Sequence, residues 1–261
     1  MLSFIIPAHN EELWIAKCLG CIRSAMEPVA EPYEVIVVDD ASTDSTPEIA
    51  EQMGARRVVR GFPDPAQAST AGLQSLRVLR VDHRKISAVR NAGAREATGD
   101  VFFFVDADTE ANEQAVRAAL AAVRAGAAGG GCAPHFEGPI QWWARIVIWF
   151  AVKVARLVRL VGGCYQFCTR DAFSAIGGLD ETFYAGEDMA FCQAIKKVGR
   201  FVVPGPIVVT SARKLKVVTP WEVIALLVTI AIRGPRYESK WIFDILYGPR
   251  AQACRKPTEP A

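Results

Sequence analysis

The sequence predicts an α/β protein: a mostly parallel, doubly wound sheet with helices on both faces, followed by an apolar, partly amphipathic C-terminal portion. Two observations carry this expectation. Strand and helix patterns alternate through the first hundred residues, which specifies a parallel sheet with crossover helices. The strand pattern "VFFFV" also lacks a polar face, which suits a strand covered on both sides.

Each element has a local reason. "LSFIIPAHNEE" is an apolar run broken by Pro7, and "EELWIAKCLGCIRSA" carries helical apolar spacing through Leu13, Ala16, Leu19 and Ile22. "YEVIVVDDAS" is a second buried strand. "DSTPEIAEQMG" opens with cap residues and Pro47 and stops at Gly54, as a helix does. "ARRVVRG" reads as a short third strand, and residues 61–80 as a loop or insertion. "KISAVRNAGAREATG" is a helix closed by Gly99, "VFFFV" a buried strand, and "NEQAVRAALAAVRAG" a further helix. Beyond it come a Gly-rich strand or turn, "AGAAGGGCAP", and a long apolar segment punctuated by bases, "WWARIVIWFAVKVARLVRLVGG". Then "GGCYQFCTRDAFSAIGGLDETFYAGEDMAFCQAIKKVG" reads as strand, helix, loop, helix. The last apolar stretch, "TPWEVIALLVTIAIRG", is too short to cross a bilayer and precedes a Pro- and charge-containing tail expected to be disordered.

The bulk numbers limit the function classes. The chain has 261 residues, enough for one large α/β domain, with 51% hydrophobic and 22% charged residues. A net charge of +2 argues against broad electrostatic capture of nucleic acid. The first strand follows Met1 directly, with no secretory leader pattern. Seven cysteines form no zinc-site or disulfide framework; Cys18 and Cys21 read as small apolar helix residues. A reducing, cytoplasmic setting is expected.

The chemistry gathers where strands end. In open parallel sheets ligands sit beyond the carboxyl ends of the strands, which places Pro7–Glu11, Asp39–Asp40 and Asp106–Asp108 along one rim. Asp106 and Asp108, two apart after a buried strand, are expected to point the same way and to repel unless a cation lies between them. A hard divalent metal shared with phosphate oxygens answers that need. Asp39 and Asp40 suit either a solvated turn or hydrogen-bond donors of a base or ribose. Glu187-Asp188 at the start of a helix complements the helix dipole or supplies a general base; the pattern alone leaves both open.

Taken in order, the blocks "SFIIPAHNEE" (3–12), "EVIVVDDASTDST" (34–46), "ISAVRNAGAREATGDVFFFVDAD" (86–108) and "GGLDETFYAGEDMAF" (177–191) resemble the family 2 glycosyltransferases, the large inverting family with the GT-A nucleotide-sugar-binding fold. The resemblance covers roughly residues 1–200. It implies a GT-A domain over 1–215, with a nucleotide-sugar half at about 1–110 and an acceptor half at about 111–215. Residues 216–261 would form an apolar helical segment and flexible tail. It further implies that Pro7, Ala8 and Glu11 lie against the nucleotide, and that Asp39 or Asp40 recognises the base with the other in support. Arg90 falls near the diphosphate, with Asn91 adjoining. Asp106 and Asp108 form a D-x-D motif that holds Mn²⁺ or Mg²⁺ against the diphosphate, Asp106 also serving the nucleotide. Asp188 is the base that deprotonates the acceptor hydroxyl, with Glu187 as second choice.

The implied activity is metal-dependent, inverting transfer of one sugar from a nucleotide diphosphate sugar to a hydroxyl acceptor, a lipid-linked one among the options. A UDP-sugar is the first expectation for the donor and GDP-mannose the second. No Q-x-x-R-W signature follows the E-D pair, which disfavours a polymer synthase, and every histidine (His9, His83, His135) precedes that pair. Arg213 and Lys214 fit either a diphosphate contact or a solvated loop, the loop slightly ahead. Two rivals stand beside this reading: a nucleotidyltransferase on a similar sheet, and a non-catalytic nucleotide- or lipid-binding relative. The nucleotidyltransferase normally carries a Gly-rich basic first loop, whereas "IPAHNEE" is acidic and Gly-free.

In "WWARIVIWFAVKVARLVRLV" the bases Arg145, Lys153, Arg156 and Arg159 fall within about a third of the circumference at helical pitch. Four charges argue against a spanning helix. The pattern fits peripheral contact of 142–161 with the inner face of a membrane, or a helix docked on the sheet or at a dimer interface.

Overall fold

A computed structural model describes residues 1–54, 56–57, 73–183 and 186–213. Eleven strands and seven helices are assigned among them. The central sheet uses β1 (Leu2–Ala8), β2 (Tyr33–Asp40), β3 (Arg56–Arg57), β4 (Leu73–Val81), β5 (Val101–Val105), β7 (Ala127–Gly131), β9 (Tyr165–Thr169) and β10 (Arg200–Val202), in the order β10-β7-β9-β5-β1-β2-β4-β3. All neighbours are parallel except β9, which runs antiparallel to β5 and β7. The expectation of a mostly parallel sheet is met.

Side-chain alternation divides the core into two layers. From β1 and β5, Phe4, Ile6, Phe103 and Val105 meet α1 (Ile15–Met26) and α4 (Glu113–Arg124) on one face. On the other, Ile5, Phe102 and Phe104 meet α3 (Ile86–Glu96), α6 (Arg170–Ala175) and α7 (Glu187–Val198). Phe4 stacks on Phe103 with ring centroids 4.8 Å apart, a cross-strand pair that helps fix the register Phe4↔Phe103. Helix α3 lies close to the sheet: a Cβ on Gly93 would meet Ile5 Cγ2 at 2.5 Å and Val38 Cγ2 at 2.8 Å.

Several local expectations need correction. Strand β4 occupies Leu73–Val81, overlapping the end of the stretch 61–80 read as a loop; its "LQSLRVLR" alternation is short and begins among small polar residues. Helix α1 buries Leu19 and Ile22 as expected, with Ile15 and Cys18 in place of Leu13 and Ala16, and Leu13 is exposed. Helix α3 stops at Glu96, with Ala97 already extended. Gly99 instead packs against the start of β1, where a Cβ would lie 2.8 Å from Met1 O. Helix α2 (Thr46–Gln52) keeps Pro47 in its first turn, and Gly54 follows at φ +100°.

A second, three-stranded sheet, in the order β6 (Thr109–Glu110), β11 (Ile207–Ser211) and β8 (Ala133–Glu137), was not expected. It lies just past the end of β5 and leads from β11 to Arg213. Helix α5 covers Trp142–Leu157, shorter than 142–161. Among the described residues no helix is long and apolar enough to cross a membrane. The C-terminal segment 216–261, Lys214, and Tyr184-Ala185 of "FYAG" lie outside the described residues.

Candidate active site

The parallel strands β1, β2 and β5 end on one rim, and each delivers its acids there. Ala8 is in register with Asp39, so the loop after β1 and the end of β2 are neighbours. That loop is fastened to the next: Asn10 N–H donates to Ser42 Oγ (3.0 Å), Glu11 N–H donates to Thr46 Oγ1 (2.7 Å), and Asn10 Oδ1 accepts from Thr43 N–H (2.8 Å). Asn10 takes φ +55° to do so, a conformation that Asn tolerates better than most residues.

Asp39 and Asp40 have different surroundings. Asp40 accepts the backbone N–H groups of His83 (2.7 Å) and Arg84 (2.9 Å), so its carboxylate holds the segment after β4. Asp39 is buried, and its Oδ1 has no hydrogen-bond partner. Burial pushes its carboxyl above the usual range, offset in part by hydrogen bonds from Ser42 and by Arg80. Arg80 Nε stands 3.9 Å from Asp39 Oδ2.

Asp106 and Asp108 lie in the turn between β5 and β6, past the alternating strand, and each has its own arginine. Arg90, 1% exposed on α3, donates from Nη2 to Asp106 Oδ1 and to Gly163 O, both at 2.8 Å. Its Nε and Nη1 are buried without partners. Arg213 donates from Nη1 and Nη2 to Glu11 Oε2 and Oε1 (2.7 and 2.6 Å), and its Nε lies 3.0 Å from Asp108 Oδ2. The solvated-loop expectation for Arg213 therefore fails: the side chain is buried between two carboxylates and over Trp14. The mutual-repulsion argument for a cation between Asp106 and Asp108 is weakened too, because arginines already compensate both.

Among the described residues no group of three or more His, Cys, Asp or Glu is placed to hold a metal alone. Asp106 and Asp108 offer carboxylate oxygens only. That donor set fits a hard divalent cation that completes its shell with phosphate and water.

Helix α7 follows Gly186, which caps it in left-handed conformation at φ +84°, and its first turn carries Glu187 and Asp188, both favoured by the helix dipole. Asp188 is only partly buried. Its Oδ2 accepts from Gly163 N–H and its Oδ1 from Met189 N–H, both at 2.8 Å. Burial pushes the Asp188 carboxyl up, against the pull of Arg90 and the two N–H groups. Glu187 is buried, and burial plus the adjacent Asp188 carry it to about 7.

Two contributors escaped the sequence reading. Gly163 donates to Asp188 and accepts from Arg90, so it ties the two chemical ends of the site together. A Cβ there would lie 2.9 Å from Arg90 Nη2 and 3.3 Å from Asp188 Cβ. Thr210 of β11 bonds Thr109 and approaches Asp108. The "GG" before a strand was the available signal for Gly163; Thr210 has none. Asn91, expected beside the diphosphate, turns away: its amide bonds Leu179 O, Leu179 N–H and Glu181 Oε1, steadying the loop that leads to α7.

The fold is that of a GT-A protein, and the comparisons agree. The model of the family described as "Glycosyl transferase family 2" matches residues 3–173; the chain belongs to this family. It is 36% identical over 114 residues to glycosyltransferase AglE of Haloferax volcanii, a match covering 43% of this chain and 32% of that protein. The chain thus spans well under half the length of the curated relatives it matches. Among solved structures it is similar to the mannosyltransferase PcManGT from Pyrobaculum calidifontis in complex with GDP-Man and Mn²⁺, with a TM-score of 0.63 at 19% identity, covering 97% of this chain and 72% of that one. It is also similar to S. aureus TarS in complex with UDP-GlcNAc, with a TM-score of 0.53 at 20% identity, covering 80% and 56%.

Proposed function

We propose that this chain is a metal-dependent, inverting glycosyltransferase that moves one sugar from a nucleotide diphosphate sugar to a hydroxyl acceptor. The observation that carries the proposal is the Asp106–Arg90–Gly163–Asp188 network, which sets a candidate base one buried arginine away from the acid that ends β5. A UDP-sugar is the first choice of donor and GDP-mannose the second. The acceptor is a hydroxyl compound, a lipid-linked one included, and residues 142–161 offer a membrane contact.

Each side chain has a task in this reading. Pro7, Ala8 and Glu11 line the nucleotide. Asp39, with its unpartnered buried oxygen, accepts an N–H of the base, while Asp40 supports it by holding the loop at His83. Asp106 and Asp108 would hold Mn²⁺ or Mg²⁺, which when bound supplies positive charge against the diphosphate as it leaves. Arg90, held on Asp106, adds positive charge beside the same leaving group. Asp188 takes the acceptor hydroxyl proton; it is favoured over Glu187 because it is the more exposed of the two. The hydroxyl oxygen then bonds the anomeric carbon as the carbon–oxygen bond to the diphosphate breaks, and a single displacement inverts the configuration.

Calorimetric titration of UDP and GDP, each with and without Mn²⁺, tests the donor half: metal-dependent binding of one of them is expected. Asp188→Asn tests the other half and is expected to spare that binding and abolish transfer. Full turnover by this variant would remove Asp188 from the role of base.

A further inference from the structure

Helix α5 presents its apolar residues outward. Of its sixteen residues only Ala144 is buried. Trp142, Ile146, Trp149, Phe150 and Leu157 are each 60–83% exposed, and Val154 and Val158 extend the same surface. Soluble surfaces rarely gather so many large apolar side chains on one face without a partner. Three bases accompany this face, all exposed to solvent: Arg145 at its edge, Arg159 just past the end of the helix, and Lys153 within it, its Nζ over the Trp149 ring at 5.6 Å. No Asp or Glu occurs between Glu137 and Asp171.

That charge pattern selects the occupant. A second copy of this chain meeting α5 face to face would bring bases against bases. A bilayer surface with anionic headgroups would instead take the tryptophans and aliphatics at the headgroup boundary and the bases among the phosphates. At about 1.5 Å per residue the helix is too short to span, and its position on the outside of the domain suits a helix lying flat.

The helix also runs directly into the site. Lys196 Nζ of α7 donates to Val158 O (2.7 Å), and Arg156 Nη2 donates to Gly205 O (3.0 Å), fixing the end of α5 on the domain. Shortly after, Val161 is buried in the core, and Gly163 bonds Asp188 and Arg90.

We infer that α5 docks the protein on an anionic bilayer surface, and that the hydroxyl reaching Asp188 is carried by a lipid in that surface. The docking rests on α5 alone; the lipid-borne acceptor rests on the transferase reading above. The stretch that leaves α5 carries Gly163, whose N–H bonds the candidate base Asp188 on α7, so the docking surface and the site are joined through Gly163.

The test uses the full chain and sedimentation with phosphatidylcholine vesicles, with and without about a third phosphatidylglycerol. The unaltered protein is expected to bind the anionic vesicles at least tenfold more tightly than the neutral ones. The double variant Trp149→Ser/Phe150→Ser and the variant Lys153→Glu are each expected to lose most of that binding. Both alter exposed side chains, so metal-dependent nucleotide binding should persist in them. Failure of the unaltered protein to bind vesicles overturns the docking, and so does a concentration-dependent dimer that the Trp149/Phe150 variant abolishes. Either result with nucleotide binding intact would leave the transferase reading standing. Vesicle binding without any nucleotide binding would keep the docking and sink the lipid-borne acceptor.

Discussion

Arg213→Ala is the most informative single change. It leaves the Glu11 and Asp108 carboxylates buried without the guanidinium that meets both, through contacts of 2.6, 2.7 and 3.0 Å. The arginine and both acids are each at most 8% exposed, so water cannot easily replace the lost partner. Removing one member of a buried ion pair costs about 3–5 kcal/mol. In a domain of this size each kcal/mol moves the melting temperature by about 2–4 °C, which predicts a fall of roughly 6–20 °C in metal-free buffer. The assay is thermal unfolding followed by circular dichroism with a chelator present. Added Mn²⁺ should then raise the variant's melting temperature more than that of the unaltered protein, because the variant's acids have lost a competing cation. Saturation to a hundred times the dissociation constant would restore about 2.7 kcal/mol. A loss below about 1 kcal/mol would refute the buried-pair reasoning. Equal Mn²⁺ shifts in the two proteins would refute the idea that Asp108 is placed to take a dication.

Three further changes probe the rest of the rim. Asp39→Ala should weaken binding of UDP or GDP by about 1.5–3 kcal/mol, as for a hydrogen bond to a charged group; calorimetry reads the effect, and unaltered affinity would disprove the contact. Gly163→Ala pushes a methyl group against a guanidinium that has no room to retreat, and should lower the transfer rate by about a hundredfold through misplacement of Arg90 and Asp188; an unchanged rate would show that the site tolerates the shift. Glu187, raised from 4.5 to about 7, holds more protons folded than unfolded between those values, so its contribution to stability is lost as pH rises through that window and is worst above 7. Glu187→Gln should therefore stabilise the protein more at pH 8 than at pH 5 in denaturant titrations, and a pH-independent effect would contradict the assigned shift.

What the sequence disclosed, and what it concealed, follows from the range of the interactions. Runs such as "VFFFV" and "EVIVV" announce buried strands because burial on both faces leaves a purely local mark. Helices α2 and α4 were legible from Pro47 and from Asn112, whose side chain caps Ala115 N–H at 2.9 Å. Strand β6 and the small sheet were not, since β6 and β11 pair residues about a hundred positions apart and neither has a period long enough to read. The same distance hid Arg213: a basic residue in "SARKLK" looks solvated until β11 carries it to Glu11, 202 residues away. The acids at the strand ends were conspicuous by position, but their division of labour was not. Only the fold shows that Asp40 is occupied by His83 and Arg84 while Asp39 keeps an oxygen free.

The reversed strand β9 has a consequence for the order in which this protein can be made. Strand β5 is flanked on one side by β1, which emerges from the ribosome about a hundred residues earlier, and on the other by β9, which emerges some sixty residues later. A nascent chain can therefore display Asp39, Asp106 and Asp108 while one edge of β5 is still open and Phe103 still lacks Phe167 above it. Because β9 runs backwards, its first residues arrive at the rim before the rest of the strand is zipped in. The piece that closes the sheet is thus the same piece that brings Gly163 to Arg90, so no half-finished chain can hold an assembled site.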